Sequence, residues 1–209
     1  IDLVMVWVGI IGLGVLIYVV MDGFDLGIGI LFPFISGTQE RDVMMNTVAP
    51  VWDGNETWMV LGGAGLFAAF PLVYSTVLSA LYLPIIFMVV ALIFRGVAFE
   101  FRFKATRTKY LWDLAFIWGS ILSSFFQGMI LGAYIQGIQT TNGIYSGGGW
   151  DWFTPFTCFT GLGVVVMYAT LGCGWLIWKT EKEIQQRMFH LMPRMIIALL
   201  FIFGVVSLY

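Results

Sequence analysis

The sequence predicts an all-α, polytopic transmembrane helical bundle, and three observations carry that expectation. The chain has 209 residues, 60% apolar and only 11% charged, whereas a soluble domain has roughly a quarter charged residues. Its apolar runs last about 18–25 residues, the length a helix needs to cross lipid; barrel strands would be about ten residues long and alternating. All ten Lys and Arg residues fall in three segments between these runs.

About six spans can be read in order. The first, Leu3–Ile35, contains no formal charge except Asp22 and Asp25. It has no basic flank and no small-residue cleavage site, so it is not a removed signal peptide. The second and third, Val51–Phe70 and Thr76–Phe94, are separated only by Pro71–Ser75, which reads as a tight hairpin. The fourth is Leu111–Ile138. Like the first it exceeds about 20 residues, so both tilt, kink or project beyond the lipid. The stretch Gln139–Trp152, with Gly147 to Gly149 between Tyr145 and Trp150, reads as a flexible outer loop whose aromatics lie at the interface. The fifth span, Phe153–Trp178, holds Cys158 and Cys173 about 22 Å apart along a helix, beyond the roughly 4.4–6.8 Å that a disulfide bridges. The sixth, Met195–Tyr209, is short. With Ile1 rather than a methionine at the start, the expectation is one transmembrane domain over 1–209 that forms the N-terminal portion of a longer subunit.

The cations set the orientation. Arg41 follows span one. Arg95, Arg102, Lys104, Arg107 and Lys109 follow span three, and Lys179, Lys182, Arg187 and Arg194 follow span five. Alternate loops share one side, and the positive-inside rule places that side in the cytoplasm and the N-terminus outside.

The carboxylates point to function. A carboxylate at the bilayer centre costs about 2.5–3.5 kcal/mol on insertion scales, so it is rarely there by accident. Asp22 and Asp25 lie three apart, on one helical face. Asp53 and Glu56, in Trp52-Asp-Gly-Asn-Glu-Thr-Trp58, have the same spacing in the first inner turns of span two, and Arg95 closes the inner end of span three. Five ionisable groups from three helices thus approach one layer. They read as a proton relay or ion path with Arg95 as its counter-charge. The competing reading is that the helices end here, with Asp22 and Asp25 in an interfacial turn and Asp53 and Glu56 complementing a helix N-terminus. Gly23, Gly27 and Gly29 favour close packing around the pair, and Tyr18, Asp22, Asp25 and Gly29 share a face; Gly62 to Gly65 offers a second contact surface. His190 stands alone in a cytoplasmic loop, so this chain shows no set of metal or haem ligands of its own. No nucleotide loop or nucleophile–base pair is visible.

Several long motifs then carry a resemblance. Met21-Asp-Gly-Phe-Asp-Leu-Gly-Ile-Gly29, Asn46-Thr-Val-Ala-Pro-Val-Trp-Asp-Gly-Asn-Glu-Thr-Trp58, Leu66-Phe-Ala-Ala-Phe-Pro71 and Ala91-Leu-Ile-Phe-Arg-Gly-Val-Ala-Phe-Glu-Phe-Arg102 occur in that order. Together they resemble subunit II of the cytochrome bd-type quinol oxidases, in the branch often called cyanide-insensitive. The resemblance implies a complex of the bacterial inner membrane that oxidises quinol and reduces dioxygen to water. It implies that the b- and d-type haems and the quinol-oxidising loop belong to the partner subunit I, that this chain is a non-haem partner supplying cytoplasmic protons, and that a small single-span subunit can accompany the pair. It matches Asp53 to a proton-path aspartate, Asp22 and Asp25 to the first-helix carboxylates, Arg95 to the basic residue after span three, and Trp58 to an aromatic near an oxygen route. Two departures stand out. Val51 occupies a place where some members have His, and about six spans are present where the family has eight.

A proton-coupled transporter is the alternative that also explains buried carboxylates; it would bind its own substrate near the midplane beside broken helices. A scaffold whose acids only pair with a partner is the third. The topology is checkable directly. In intact cells carrying Lys104→Cys, a membrane-impermeant thiol reagent applied outside is expected to leave the introduced thiol unlabelled, and labelling would reverse the orientation.

Overall fold

The computed structural model describes residues 2–208, so Ile1 and Tyr209, the expected end of the last span, lie outside the described residues. The chain forms α1 (Leu3–Leu31), a 3-10 turn (Phe32–Phe34), α2 (Thr38–Asn46), α3 (Trp52–Ala69), α4 (Pro71–Phe101), α5 (Lys109–Gln136), a short hairpin β1 (Thr140–Thr141) and β2 (Ile144–Tyr145), α6 (Pro155–Lys179) and α7 (Lys182–Ser207). Helices α1, α4, α5, α6 and α7 are long and apolar enough to cross a membrane. The second expected span is α3, a helix of 18 residues whose first turns carry the polar Asp53, Asn55 and Glu56. The sixth, expected from Met195, begins earlier, because α7 already runs from Lys182 and takes Arg187, His190 and Arg194 into the helix.

Local chemistry sets the boundaries. Asp2 caps α1 by accepting from the Val4 N–H at 2.9 Å. Pro71–Ser75 is not the expected hairpin. Pro71 opens α4, where its missing N–H costs nothing, and the break from α3 is Phe70 alone, at φ −136° and ψ 62°. Helix α4 also runs past the expected end, so Arg95 lies within it and not at its terminus. The helix bends at Leu81 (φ −119°, ψ 17°), three residues before Pro84; proline lacks an N–H and its ring clashes with the carbonyl four residues earlier.

The loop between α5 and α6 is more ordered than its composition suggests. Asn142 and Gly143 both have positive φ, 54° and 78°, the requirement of a type I′ hairpin. Trp150 is exposed as an interfacial aromatic would be, but Trp152 is only 5% exposed. It packs with Ala80 and Leu81 at the α4 bend, and its indole N–H donates to the Gly149 carbonyl at 2.9 Å.

Glycine spacing brings α1, α5 and α6 together. A Cβ on Gly27 would collide with the Tyr168 carbonyl and the Gly172 backbone, and one on Gly29 would collide with Ser120. Helix α1 is therefore buried from Asp22 to Leu31, while most of its N-terminal half stays exposed. In the second glycine cluster, Gly62 and Gly65 approach Val15 and Ile11 of α1, whereas Gly63 faces open space. Cys158 and Cys173 are both free. Because the Gly27 contact is backbone on backbone, Gly27→Val is expected to force α1 and α6 apart and destabilise the bundle by about 1–3 kcal/mol or more, read as a fall in the thermal unfolding temperature of the detergent-purified protein.

Candidate functional site

Arg95 of α4 organises the interior. Helix α5 reaches the α4 backbone here because residue 119 is glycine: an added Cβ would come within 2.8 Å of the Ala91 carbonyl oxygen and 2.9 Å of the Arg95 nitrogen. The Arg95 side chain has no exposed surface. Its Nη1 lies 2.8 Å from Asp22 Oδ1 and 3.5 Å from Glu56 Oε2, and its Nη2 lies 3.8 Å from Asp25 Oδ2. Asn55 Nδ2 donates to Asp25 Oδ2 at 2.8 Å. The Phe99 ring lies beneath the guanidinium, 5.8 Å from Cζ, and stacks on Trp52 with centroids 4.8 Å apart. A planar guanidinium suits several acceptors at once, and a charge buried here would be costly without a partner. One cation nevertheless faces three carboxyl groups. Asp22 Oδ2 and Asp25 Oδ1 are buried and accept no hydrogen bond from the described residues.

Four of the five ionisable residues expected at this site thus meet: Asp22, Asp25, Glu56 and Arg95. Asp53 does not join them. It is exposed, two residues or about 200° of helical rotation from the inward-facing Asn55, and makes no ion pair among the described residues. Trp58 is half-buried on α3 and takes no part in the ion pairs. Charge counting overlooks Asn55, the uncharged polar residue inside the same motif. It also overlooks the branch beyond Asp22. Tyr18, one turn earlier on α1, accepts from Gln127 Nε2 at 2.7 Å, and the Tyr168 hydroxyl donates to Gln127 Oε1 at 2.7 Å.

A second ionic network lies two turns further along α4. Arg102, fully buried, pairs with Asp113 of α5 and with Asp42 of α2; Arg41 Nη1 holds Asp113 Oδ2 at 3.0 Å, and Lys109 holds Asp42 at 2.9 Å. Treating Arg41, Arg102 and Lys109 only as markers of sidedness hides this network, and with it the role of Asp113 at the start of span four.

A haem enclosed in this bundle would take His or Met axial ligands. The single histidine, His190, is exposed on α7 with Nδ1 2.7 Å from the Gln186 carbonyl oxygen. The Arg95 cluster is a set of one cation and three carboxyl groups drawn from α1, α3 and α4.

Comparison with known proteins shows what the chain is similar to. The family model described as cytochrome bd terminal oxidase subunit II matches residues 3–209. Cytochrome bd-I ubiquinol oxidase subunit 2 of Escherichia coli (strain K12) is 33% identical over 190 residues, which cover 87% of this chain and 50% of that protein. Cytochrome bd ubiquinol oxidase subunit 2 of Bacillus subtilis (strain 168) is 33% identical over 172 residues, 80% of this chain and 51% of that protein. The chain spans about half the length of these relatives.

The second network gives a pH response. Burial acts to raise the Asp42 carboxyl, but hydrogen bonds from Lys109 and Arg102 and their charges prevail and hold it below the ordinary range. A carboxyl whose folded value is depressed contributes stability above its unfolded value, about 3.9, and loses that contribution as pH falls through the lower folded value. Thermal stability is therefore expected to drop below about pH 4 more steeply in the parent protein than in Asp42→Asn, which has no such proton to gain; parallel curves would show that Asp42 is not coupled to folding.

Proposed function

Because the chain belongs to the cytochrome bd terminal oxidase subunit II family, we propose that it works as the non-haem subunit of a quinol:oxygen oxidoreductase in the bacterial cytoplasmic membrane. It pairs with a haem-bearing subunit I, which holds the b- and d-type haems and meets the quinol. Its own contribution is protons from the cytoplasm, passed to the partner's oxygen-reducing site. The names of its relatives, ubiquinol oxidase subunit 2, support the reaction class.

The observation that carries the proton reading is the imbalance at Arg95, one buried guanidinium against Asp22, Asp25 and Glu56. In a low-dielectric interior, like charges cannot all stand unbalanced. Arg95 balances one carboxylate, and the others take up and give back protons without stranding a net charge in lipid. Asp25 is held in place by Asn55. Glu56 brings the cluster to the surface of α3, and Asp53, three residues earlier, is exposed and is the next carboxyl outward along that helix. A haem supplies the dioxygen chemistry when the partner is present; this chain's residues hold and move protons.

Asparagine keeps the size and much of the hydrogen bonding of aspartate but exchanges no proton near neutral pH. In the purified complex, Asp25→Asn and Asp53→Asn are each expected to cut oxygen consumption per haem by about 10²–10⁴-fold, the range a proton-transfer group contributes, with haem content preserved. Near-normal turnover at full haem content would assign these carboxylates a structural role.

A further inference from the structure

The two ionic groups of α4 are close but not joined. Arg95 and Arg102 are seven residues apart on one face, about 10 Å along the helix, and both side chains have no exposed surface. Between them sit Phe32, Phe99 and Phe116, all buried. Phe116 meets Phe32 at 4.8 Å and Phe99 at 5.1 Å between centroids, both edge-on. The Arg102 guanidinium lies over Phe32 at 5.4 Å and that of Arg95 over Phe99 at 5.8 Å, so the aromatic layer fills the interval from one cation to the other. Among the described residues no hydrogen bond or ion pair crosses it. Aromatic rings carry no exchangeable proton, and a close-packed layer leaves no room for a water chain.

The Arg95 cluster has another way out. Its Arg95, Asp22 and Asp25 side chains are at most 1% exposed, whereas the Glu56 side chain is 23% exposed. Glu56 lines a groove of about 410 Å³ between α3 and α4, with Trp52, Met59, Leu92, Gly96 and Phe101 among its walls. Position 96 has room for a side chain: a Cβ there would meet only Trp52 ring carbons, at an ordinary contact distance of 3.5 Å.

We propose that protons enter the Arg95 cluster sideways, through the α3–α4 groove and Glu56, and not along the bundle axis past Arg102. The proposal rests on the proton-supply reading above and adds the route. Glu56 is the entry carboxyl, Asp53 stands before it on the same helix, and the Phe32–Phe99–Phe116 layer seals the axial alternative. Glu100 also lines the groove, and Gly96 offers a position from which to block it without replacing either carboxylate.

The test uses the assembled, haem-containing complex with the full-length subunit. Gly96→Cys puts a thiol in the groove, and the parent complex, with Cys158 and Cys173, is treated in parallel. A small water-soluble methanethiosulfonate is expected to label the thiol introduced at position 96 and to slow oxygen consumption per haem by about a hundredfold, the low end of the effect of losing a proton-transfer step. Failure to label an active complex, or full labelling with turnover retained, overturns the route. Phe116→Leu, which thins the aromatic layer, is expected to leave turnover within about twofold; an acceleration overturns the seal. Glu56→Gln separates the two levels. If it turns over normally while Asp25→Asn stalls, the lateral entry fails and the proton reading stands. If Asp25→Asn also turns over normally at full haem content, the proton reading itself fails.

Discussion

Burying a guanidinium at membrane depth is the constraint on which the rest of the structure depends. An unpaired Arg95 inside this bundle would be untenable, so three helices are arranged to answer it. Helix α1 supplies two carboxylates at a three-residue spacing, α3 supplies a third together with an amide, and α5 gives up a side chain at Gly119 so that the backbones can close around it. The glycines of α1 serve the same end from the other side. Gly27 and Gly172 bring α6 against the helix that carries Asp22 and Asp25, fixing the depth and rotation of both acids.

Much of this is legible in the chain. Runs of apolar residues announce the helices, because lipid length and backbone hydrogen bonding leave few alternatives. Spacing and shared depth announce the meeting of Asp22, Asp25, Glu56 and Arg95. Finer detail is not legible. Asp53 and Glu56 both lie in the first turns of α3, but depth alone does not fix rotation, and the helix turns Asp53 outward. Pro71 suggests a turn because proline both ends and begins helices; only the backbone of Phe70 decides which. The burial of Trp152 depends on a bend near Pro84, far back in the sequence, so no local pattern could announce it.

The second network shows how sidedness and structure overlap. Arg41, Arg102 and Lys109 bias topology as cations near span ends, and they also hold α2 and the start of α5 to the C-terminal end of α4 through Asp42 and Asp113. Arg102 is as deeply buried as Arg95, yet its network opens to the surface, where Asp42 and Lys109 remain partly exposed. The same α4 face thus carries a clamp between helix ends and a buried charge centre, kept apart by a layer of phenylalanine.

The pairing of Asp22 with Arg95 spans 73 residues of sequence, and that separation bears on biogenesis. Chains emerge from the ribosome at about 5–20 residues per second, so α1 precedes its cation by roughly 4–15 seconds. During that interval the acids of α1 have no guanidinium to answer them, and the hydrogen-bonding Asn55 arrives only partway through. Until α4 has been made, the cost of placing these acids in lipid, about 2.5–3.5 kcal/mol each at the bilayer centre, is not offset by Arg95. The final balance of charge on α1 is thus reached only when α3 and α4 have joined it.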